Sequence, residues 1–212
     1  MMFKIILLVL TISFFSKGQV LRMGNCPNVT AVPNFNIKKF SGIWYEQVHT
    51  RRELGVDLRC SIEHFWQTGP RSFNLNSFTF SPSANRSYHI QGNGTIKGNN
   101  SDSGLLDVFI YDMNLRGDVL ILDTDYKSFA VFWSCINVEK SYLENIIIVT
   151  RDKYAKNSTV LNALNVLTRN KITKASLKYT DNFACPNYEG LFVELKNSLS
   201  SAPNVTGINV KI

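Results

Sequence analysis

The chain has 212 residues, of which 44% are apolar, 12% aromatic and 18% charged. This length suits a single domain with a sizeable buried core, and the aromatic content excludes a disordered chain. No apolar run reaches the roughly 20 residues that a membrane-spanning helix needs. The net charge of +7 comes from scattered Lys and Arg residues. A nucleic-acid-binding face would cluster them, so we expect no nucleic-acid partner.

The N-terminus has the pattern of a secretory signal. Lys4 supplies a positive charge, Ile5 to Phe15 form an apolar stretch, and Ser16 and Gly18 are small residues before a cleavage point. We therefore expect residues 1–18 to be a signal peptide and the product to be secreted and extracellular. Residues 19–185 would form the folded domain. Residues 186–212 would be a C-terminal extension, ordered at first and loose at its end.

Cysteine usage and glycosylation motifs both favour an exported protein. The four cysteines, Cys26, Cys60, Cys135 and Cys185, include no Cys-x-x-Cys pair, so zinc or thioredoxin chemistry has no suitable ligand spacing. Two disulfides are expected, in one of three connectivities. Six Asn-x-Ser/Thr triplets give candidate glycosylation sites at Asn28, Asn85, Asn93, Asn99, Asn157 and Asn204.

Short runs with β-like composition recur after the signal and are separated by turn residues. Some of them, such as 105–111, are apolar on both faces and must be covered on both. The pattern predicts an all-β fold, an eight-stranded antiparallel up-and-down β-barrel. The predicted strands are 42–50, 59–67, 72–80, 87–96, 105–111, 119–123, 128–135 and 144–151.

One helix is predicted after the eighth strand. Between Ser158 and Asn170, four apolar residues fall on one stripe, which lets the helix pack against the outside of the barrel. A short strand at 176–180 follows and leads to Cys185. The fold would therefore be a barrel with one C-terminal α-helix packed outside it.

Searches for catalytic motifs find nothing of the required spacing. The three histidines, His49, His64 and His89, form no metal-binding pair, and neither a nucleophile elbow nor a P-loop occurs. With every cysteine paired, no thiol would remain as a nucleophile. We therefore expect a protein that is not an enzyme, with no metal and no cofactor other than a bound lipid or bilin.

Three short motifs stand in a recognisable order. Gly42, Trp44 and Glu46 open the first strand, Thr124-Asp125-Tyr126 precedes the seventh, and Arg151 ends the eighth. With the cysteines and the Asn25-Cys26-Pro27 segment, the sequence resembles the lipocalin family, within it the group of apolipoprotein D, Lazarillo and the insect bilin-binding proteins. The resemblance extends from about Asn25 to Cys185.

The resemblance implies structural roles for these residues. Gly42, Trp44, Thr124, Asp125 and Arg151 would form the closed end of the barrel, with Arg151 stacked on the indole of Trp44 by a cation–π contact. It also implies which cysteines pair, namely Cys26 with Cys135 and Cys60 with Cys185.

The resemblance further implies a ligand cavity inside the barrel, with an apolar and aromatic lining. Arg51 and Arg52 would lie at the open mouth, where they could meet a carboxylate head group. The expected lining residues are Phe65, Phe109, Tyr111, Phe132, Asn145, Ile147 and Val149.

The expected function is that of a secreted carrier of a small hydrophobic ligand such as a fatty acid, sterol or retinoid, with a role in lipid transport or protection from oxidative stress. A bilin-binding pigment carrier is the nearest alternative. A module that recognises a protein partner through its loops is another. A membrane surface or a receptor is a further candidate partner. The protein is expected to be a monomer or a weak dimer.

Overall fold

The computed structural model describes residues 20–51, 58–98, 103–188 and 190. The expected signal peptide and most of the expected C-terminal extension therefore lie outside the described residues. The elements are β1 (Val20–Met23), α1 (Ile37–Phe40), β2 (Gly42–Thr50), β3 (Arg59–Gln67), β4 (Ser72–Ser81), β5 (Arg86–Ile96), β6 (Leu105–Ile110), β7 (Leu115–Thr124), β8 (Phe129–Val138), β9 (Ser141–Thr150), α2 (Asn157–Arg169) and β10 (Leu177–Tyr179).

Strands β2 to β9 form a closed antiparallel barrel. Each strand pairs with the next along the chain, and β9 returns to pair with β2, which closes the sheet. The short strands β1 and β10 extend it at the seam, β1 beside β9 and β10 beside β2. The predicted fold class, an eight-stranded up-and-down barrel with an external C-terminal helix, is confirmed.

The predicted strands agree with the observed ones except at a few ends. The largest difference is β7, which begins at Leu115 rather than at Val119. Arg116, Gly117 and Asp118 have the composition of a turn, yet they pair with β6. An ion pair of 2.8 Å from Arg116 to Asp107 on β6 helps to hold them in the ladder. The strand β1 and the short helix α1 were not predicted.

The outer face of the barrel is covered in part by α2. The buried residues of this helix, such as Val160, Ala163 and Leu167, pack on Val131 and Ile148 of the sheet. This contact explains why strands in this region are apolar on both faces, since one face fills the barrel and the other lies beneath the helix. Within the described ranges, no helix is long and apolar enough to cross a membrane.

Two disulfides attach the segments that precede and follow the barrel strands to the barrel. Cys26 is bonded to Cys135 and Cys60 to Cys185, which leaves no free cysteine. The first bond joins the N-terminal segment to β8, and the second joins the segment after β10 to β3. This is the connectivity that the resemblance implies.

Buried polar contacts also hold the segment after α2 against β2. Thr180 Oγ1 donates a hydrogen bond of 2.7 Å to Glu46 Oε1, and His49 Nδ1 lies 3.0 Å from the same oxygen. The side-chain amide of Asn182 donates to the main-chain carbonyl of Glu46 at 2.7 Å. Glu46 is only 1% exposed, and its burial is tolerated because donors surround the carboxyl group.

One end of the barrel is closed by Trp44 and Arg151. The indole is fully buried, and its Nε1 donates a hydrogen bond of 2.9 Å to the carbonyl of Phe40 in α1. The Arg151 guanidinium carbon lies 3.7 Å from the centre of the indole ring. The same guanidinium donates to the carbonyl oxygens of Ile43 at 2.8 Å and Phe40 at 3.0 Å, so one side chain joins α1, β2 and β9.

Gly42 makes room for this arginine. Its φ of +110° lies in a region that side chains disfavour, and a Cβ atom there would lie 3.0 Å from Arg151 Nη1. Burial lowers the pKa of Arg151 to about 10, while the Asp125 carboxylate opposes the shift. The guanidinium therefore stays charged at neutral pH.

The turn between β7 and β8 is built on Thr124 and Asp125. Thr124 Oγ1 donates to the carbonyl of Phe129 at 2.7 Å. Asp125 Oδ1 accepts backbone N–H bonds from Lys127 at 3.0 Å, Ser128 at 2.7 Å and Phe129 at 3.0 Å, and Ser128 Oγ bonds to the other carboxylate oxygen. Burial acts to raise the pKa of Asp125, but these hydrogen bonds to Ser128, Phe129 and Lys127 together lower it below its ordinary value.

Replacing Arg151 should destabilise the barrel strongly. We expect Arg151→Met to lower the free energy of unfolding by about 2 to 4 kcal/mol, because it removes the cation–π contact and leaves several carbonyl groups without a donor. Urea unfolding followed by tryptophan fluorescence measures the change. Arg169→Met is the matched control, since its 2.7 Å ion pair with Asp123 is largely exposed and should contribute under about 1 kcal/mol. Equal losses in the two variants would contradict the role given to Arg151.

Asp125 should make stability depend on acid pH. A carboxyl group whose pKa is lowered on folding stabilises the native state above its unfolded pKa, and the effect is lost as pH falls through its folded pKa. Asp125→Asn should therefore be less stable than the parent at pH 7; the difference should shrink as the pH falls below about 4 and vanish below the folded pKa of Asp125. Urea unfolding across pH 2 to 7 tests this, with Ser128→Ala as an intermediate case that keeps the backbone bonds. A constant difference at every pH would show that the charge is not responsible.

Candidate functional site

Aromatic side chains fill the half of the barrel next to the closed end. Phe40 stacks on Trp44 with ring centres 5.0 Å apart and meets the edge of Phe65 at 5.3 Å. Phe65 stacks on Phe132 at 5.8 Å and contacts Phe73 at 6.0 Å. These rings pack against one another next to the closed end, and Phe65 and Phe132 also line the cavity above them.

A cavity of about 140 Å³ lies on top of the Phe65 and Phe132 rings. Most of its wall is apolar, and three polar side chains also line it. The lining residues are Glu63, Phe65, Leu75, Leu106, Val108, Val119, Phe132, Trp133, Ser134, Asn145 and Ile147.

Gly117 lies on the strand β7 beyond the lining residue Val119, towards the open end of the barrel. This glycine pairs with Val108, so it lies on the inner face of the sheet. A Cβ atom placed on it would have no neighbour within 4 Å, and the residue is exposed. The cavity itself is partly open and is not sealed within the core.

Four of the seven residues expected from the sequence line this cavity, namely Phe65, Phe132, Asn145 and Ile147. Val149 is also inside the barrel, but it is fully buried in the aromatic core and does not line the cavity. The residues that sequence reasoning missed include Leu106, Val108 and Val119. Leu106 and Val108 occupy alternate positions along β6, but the other face of β6 is also apolar, so the sequence pattern does not show which face points inward.

Phe109 and Tyr111 are not in the cavity, which corrects the expectation. Leu106 and Val108 line the cavity, and successive residues of a strand point to opposite faces of the sheet. Phe109 therefore lies on the outer face, where it is the cross-strand partner of the exposed Arg116. Tyr111 follows the end of β6, is 47% exposed and packs on Phe109 with ring centres 5.7 Å apart. The expected assignment put the wrong face of β6 inside, because hydrophobicity alone does not distinguish the two faces.

The two arginines expected at the mouth are described only in part. Arg51 is exposed directly after β2, at the end of the barrel opposite Trp44, and its backbone N–H donates to the carbonyl of Ser176 at 2.6 Å. Arg52 lies outside the described residues. The carboxylate-binding role of both residues remains a prediction.

A second cavity, of about 180 Å³, lies outside the barrel. It is formed between the C-terminal segment and the outer faces of β2 and β3, beside the Cys60–Cys185 disulfide. Tyr188 closes one side by stacking on Phe78 with ring centres 5.3 Å apart. This crevice is distinct from the barrel interior and belongs to the attachment of the C-terminal segment.

Four of the six glycosylation motifs are described, and their asparagines, Asn28, Asn85, Asn93 and Asn157, are all exposed. Asn99 and Asn204 lie outside the described residues. Exposure permits glycan attachment at the four sites, which remain candidates.

The described residues contain no metal-binding group of three or more His, Cys, Asp or Glu side chains. The histidines are instead used in packing and hydrogen bonding. His89 stacks on Phe78 with ring centres 4.1 Å apart, and burial lowers its pKa, although Asp112 opposes this shift. The geometry of the barrel interior is that of a binding cavity.

Comparison with known proteins agrees with this architecture. No protein-family model matches the chain. Apolipoprotein D from Cavia porcellus is 26% identical over 176 residues, which cover 82% of this chain and 90% of the relative. Apolipoprotein D from Mus musculus is 26% identical over 177 residues, with the same shares covered.

Solved structures share the fold at lower identity. Lobster apocrustacyanin A1 superposes with a TM-score of 0.67 at 15% identity, covering 80% of this chain and 95% of that one. Insecticyanin from the tobacco hornworm Manduca sexta gives 0.66 at 20% identity, covering 77% and 89%. The sequence similarity and the shared barrel agree with the closed-end motif and the disulfides, and they support the resemblance of this chain to the lipocalin family, in particular to its apolipoprotein D-like and bilin-binding group.

Proposed function

We propose that this protein is a secreted carrier of a small hydrophobic ligand. The observation that carries the proposal is the mainly apolar cavity inside the barrel, with an aromatic floor and an open side. A preformed apolar cavity with a few polar groups is the usual form of a small-molecule site. The similarity to proteins named apolipoprotein supports a lipid as the ligand.

The size of the cavity limits how much of a ligand the barrel encloses. An engineered protein cavity of about 150 Å³ holds benzene, so the volume of about 140 Å³ here suits a ring or a short section of chain. The rest of a fatty acid, sterol or retinoid would extend past Gly117 towards the open end. At about 25 cal/mol per Å² of buried apolar surface, the enclosed part supplies binding free energy without specifying the ligand.

Two further candidates are separated by simple observations. A bilin would give the purified secreted protein a visible absorbance band. Recognition of a protein partner is supported by the apolar side chains exposed around the β6–β7 turn, Tyr111, Met113 and Leu115. Native mass spectrometry of the deglycosylated protein distinguishes a retained lipid or bilin from an empty barrel. If an empty barrel also takes up no lipid or biliverdin, partner recognition becomes the preferred function.

Filling the cavity should weaken ligand binding strongly without harming the fold. Val119→Phe adds a ring to the cavity wall, so we expect the affinity for N-phenyl-1-naphthylamine, a neutral hydrophobic dye, to fall by about ten-fold or more. The melting temperature should stay the same or rise, because the new ring occupies empty space. Fluorescence titration and thermal unfolding measure the two effects.

Leu161→Phe is the matched control for this experiment. Leu161 is 57% exposed on α2, so the larger ring there should leave dye affinity unchanged. Equal dye affinity in Val119→Phe and the parent would show that the barrel cavity is not the binding site.

A further inference from the structure

The cavity contains two polar side chains placed directly opposite one another. Ser134 on β8 and Asn145 on β9 are cross-strand partners, so both side chains lie on the inner face of the sheet. Both line the cavity and both are partly exposed to it. Neither side chain makes a hydrogen bond to another residue in the described part of the chain.

Their chemistry suits a neutral polar group on the ligand. The Asn amide offers a donor and an acceptor, and the Ser hydroxyl can act as either. A ligand hydroxyl can donate to one side chain and accept from the other at the same time. Elsewhere the wall is almost wholly apolar, so this pair is where a buried polar group of a ligand would find partners.

A third polar side chain places a carboxyl group in the wall of the cavity. Glu63 lines the same cavity, and its Oε1 accepts a hydrogen bond of 2.9 Å from Ser77 Oγ. In a space of about 140 Å³, a ligand carboxylate beside the Ser134–Asn145 pair would lie close to the Glu63 carboxyl group. Like charges at short range disfavour the ionised forms, whereas a hydroxyl group pays no such cost.

We propose that the barrel selects hydrophobic alcohols over fatty acids, with the Ser134–Asn145 pair binding the hydroxyl group and Glu63 disfavouring a carboxylate. This inference rests on the proposed carrier function and specifies the ligand class of the same site. It also contrasts with the role predicted for Arg51 and Arg52, since arginines at the mouth would favour a carboxylate there.

Competition experiments with matched probes test the selectivity. Octan-1-ol, sodium octanoate and 1-methoxyheptane, an isomer of the alcohol that accepts but does not donate, are titrated against bound N-phenyl-1-naphthylamine at pH 7.4. In the parent protein we expect octan-1-ol to bind about ten-fold more tightly than octanoate and about three-fold more tightly than the ether. Octanoate binding as tightly as the alcohol would overturn the proposal.

Variants assign the effect to the named residues. Ser134→Ala/Asn145→Leu should weaken octan-1-ol about five- to ten-fold and the ether about two- to three-fold, so that the two bind about equally, while dye affinity is retained. Glu63→Gln should raise octanoate affinity about five-fold or more and leave octan-1-ol unchanged. Ser158→Ala/Asn162→Leu makes the same two changes on the exposed face of α2 and should alter neither probe.

The outcomes separate this proposal from the carrier function. If dye and alcohol bind but the double variant leaves alcohol affinity unchanged, the selectivity proposal is wrong and the carrier function stands. If the parent binds neither dye nor any of the three probes, both fail. Circular dichroism checks the folding of each variant, and Ser134→Ala alone, a loss of one oxygen, replaces the double variant if that one does not fold.

Discussion

The pairing of β9 with β2 is the constraint on which the rest of the structure depends. It turns the sheet into a tube with an inside and an outside, and each strand must then satisfy both faces. The inside is filled by aromatic rings near the closed end, and part of the outside is covered by α2. Because a closed sheet has few free edges, the barrel also protects its backbone groups from pairing with other chains.

The closed end and the proposed binding cavity lie at different levels of this tube. At the closed end, Arg151 replaces the water that would otherwise solvate several carbonyl groups, and its charge lies against the Trp44 indole. These contacts engage all three nitrogen atoms of the guanidinium group, so they leave little freedom for a ligand. Above the aromatic layer the packing is incomplete, and side chains there can face a ligand without weakening the closure.

The cavity itself follows from a mismatch in side-chain size. Phe65, Phe132 and Phe73 occupy one level of the barrel, whereas the next level is formed by smaller residues such as Val108, Val119 and Ser134. Gly94 lets the Phe73 ring approach the wall, since a Cβ there would lie 2.4 Å from it. A void of this kind costs packing energy, and a bound ligand would recover part of that cost.

The sequence by itself determined the fold class, because strands of alternating polarity, turn residues and an amphipathic helix are local patterns. They can be recognised from the sequence without knowing how the elements pack. The ordered motifs around Trp44, Asp125 and Arg151 likewise predicted the family and, through it, the closed end. The start of β7 was missed because Arg116 to Asp118 resemble a turn and become a strand only by pairing with β6.

Only the tertiary structure decided which face of β6 points inward, and so excluded Phe109 and Tyr111 from the cavity. It also decided that Ser134 lies opposite Asn145, since that proximity depends on the register between β8 and β9. The volume of the cavity depends on how distant aromatic rings stack. Strand register and ring stacking both depend on residues from different strands. The sequence of one strand therefore does not determine either of them.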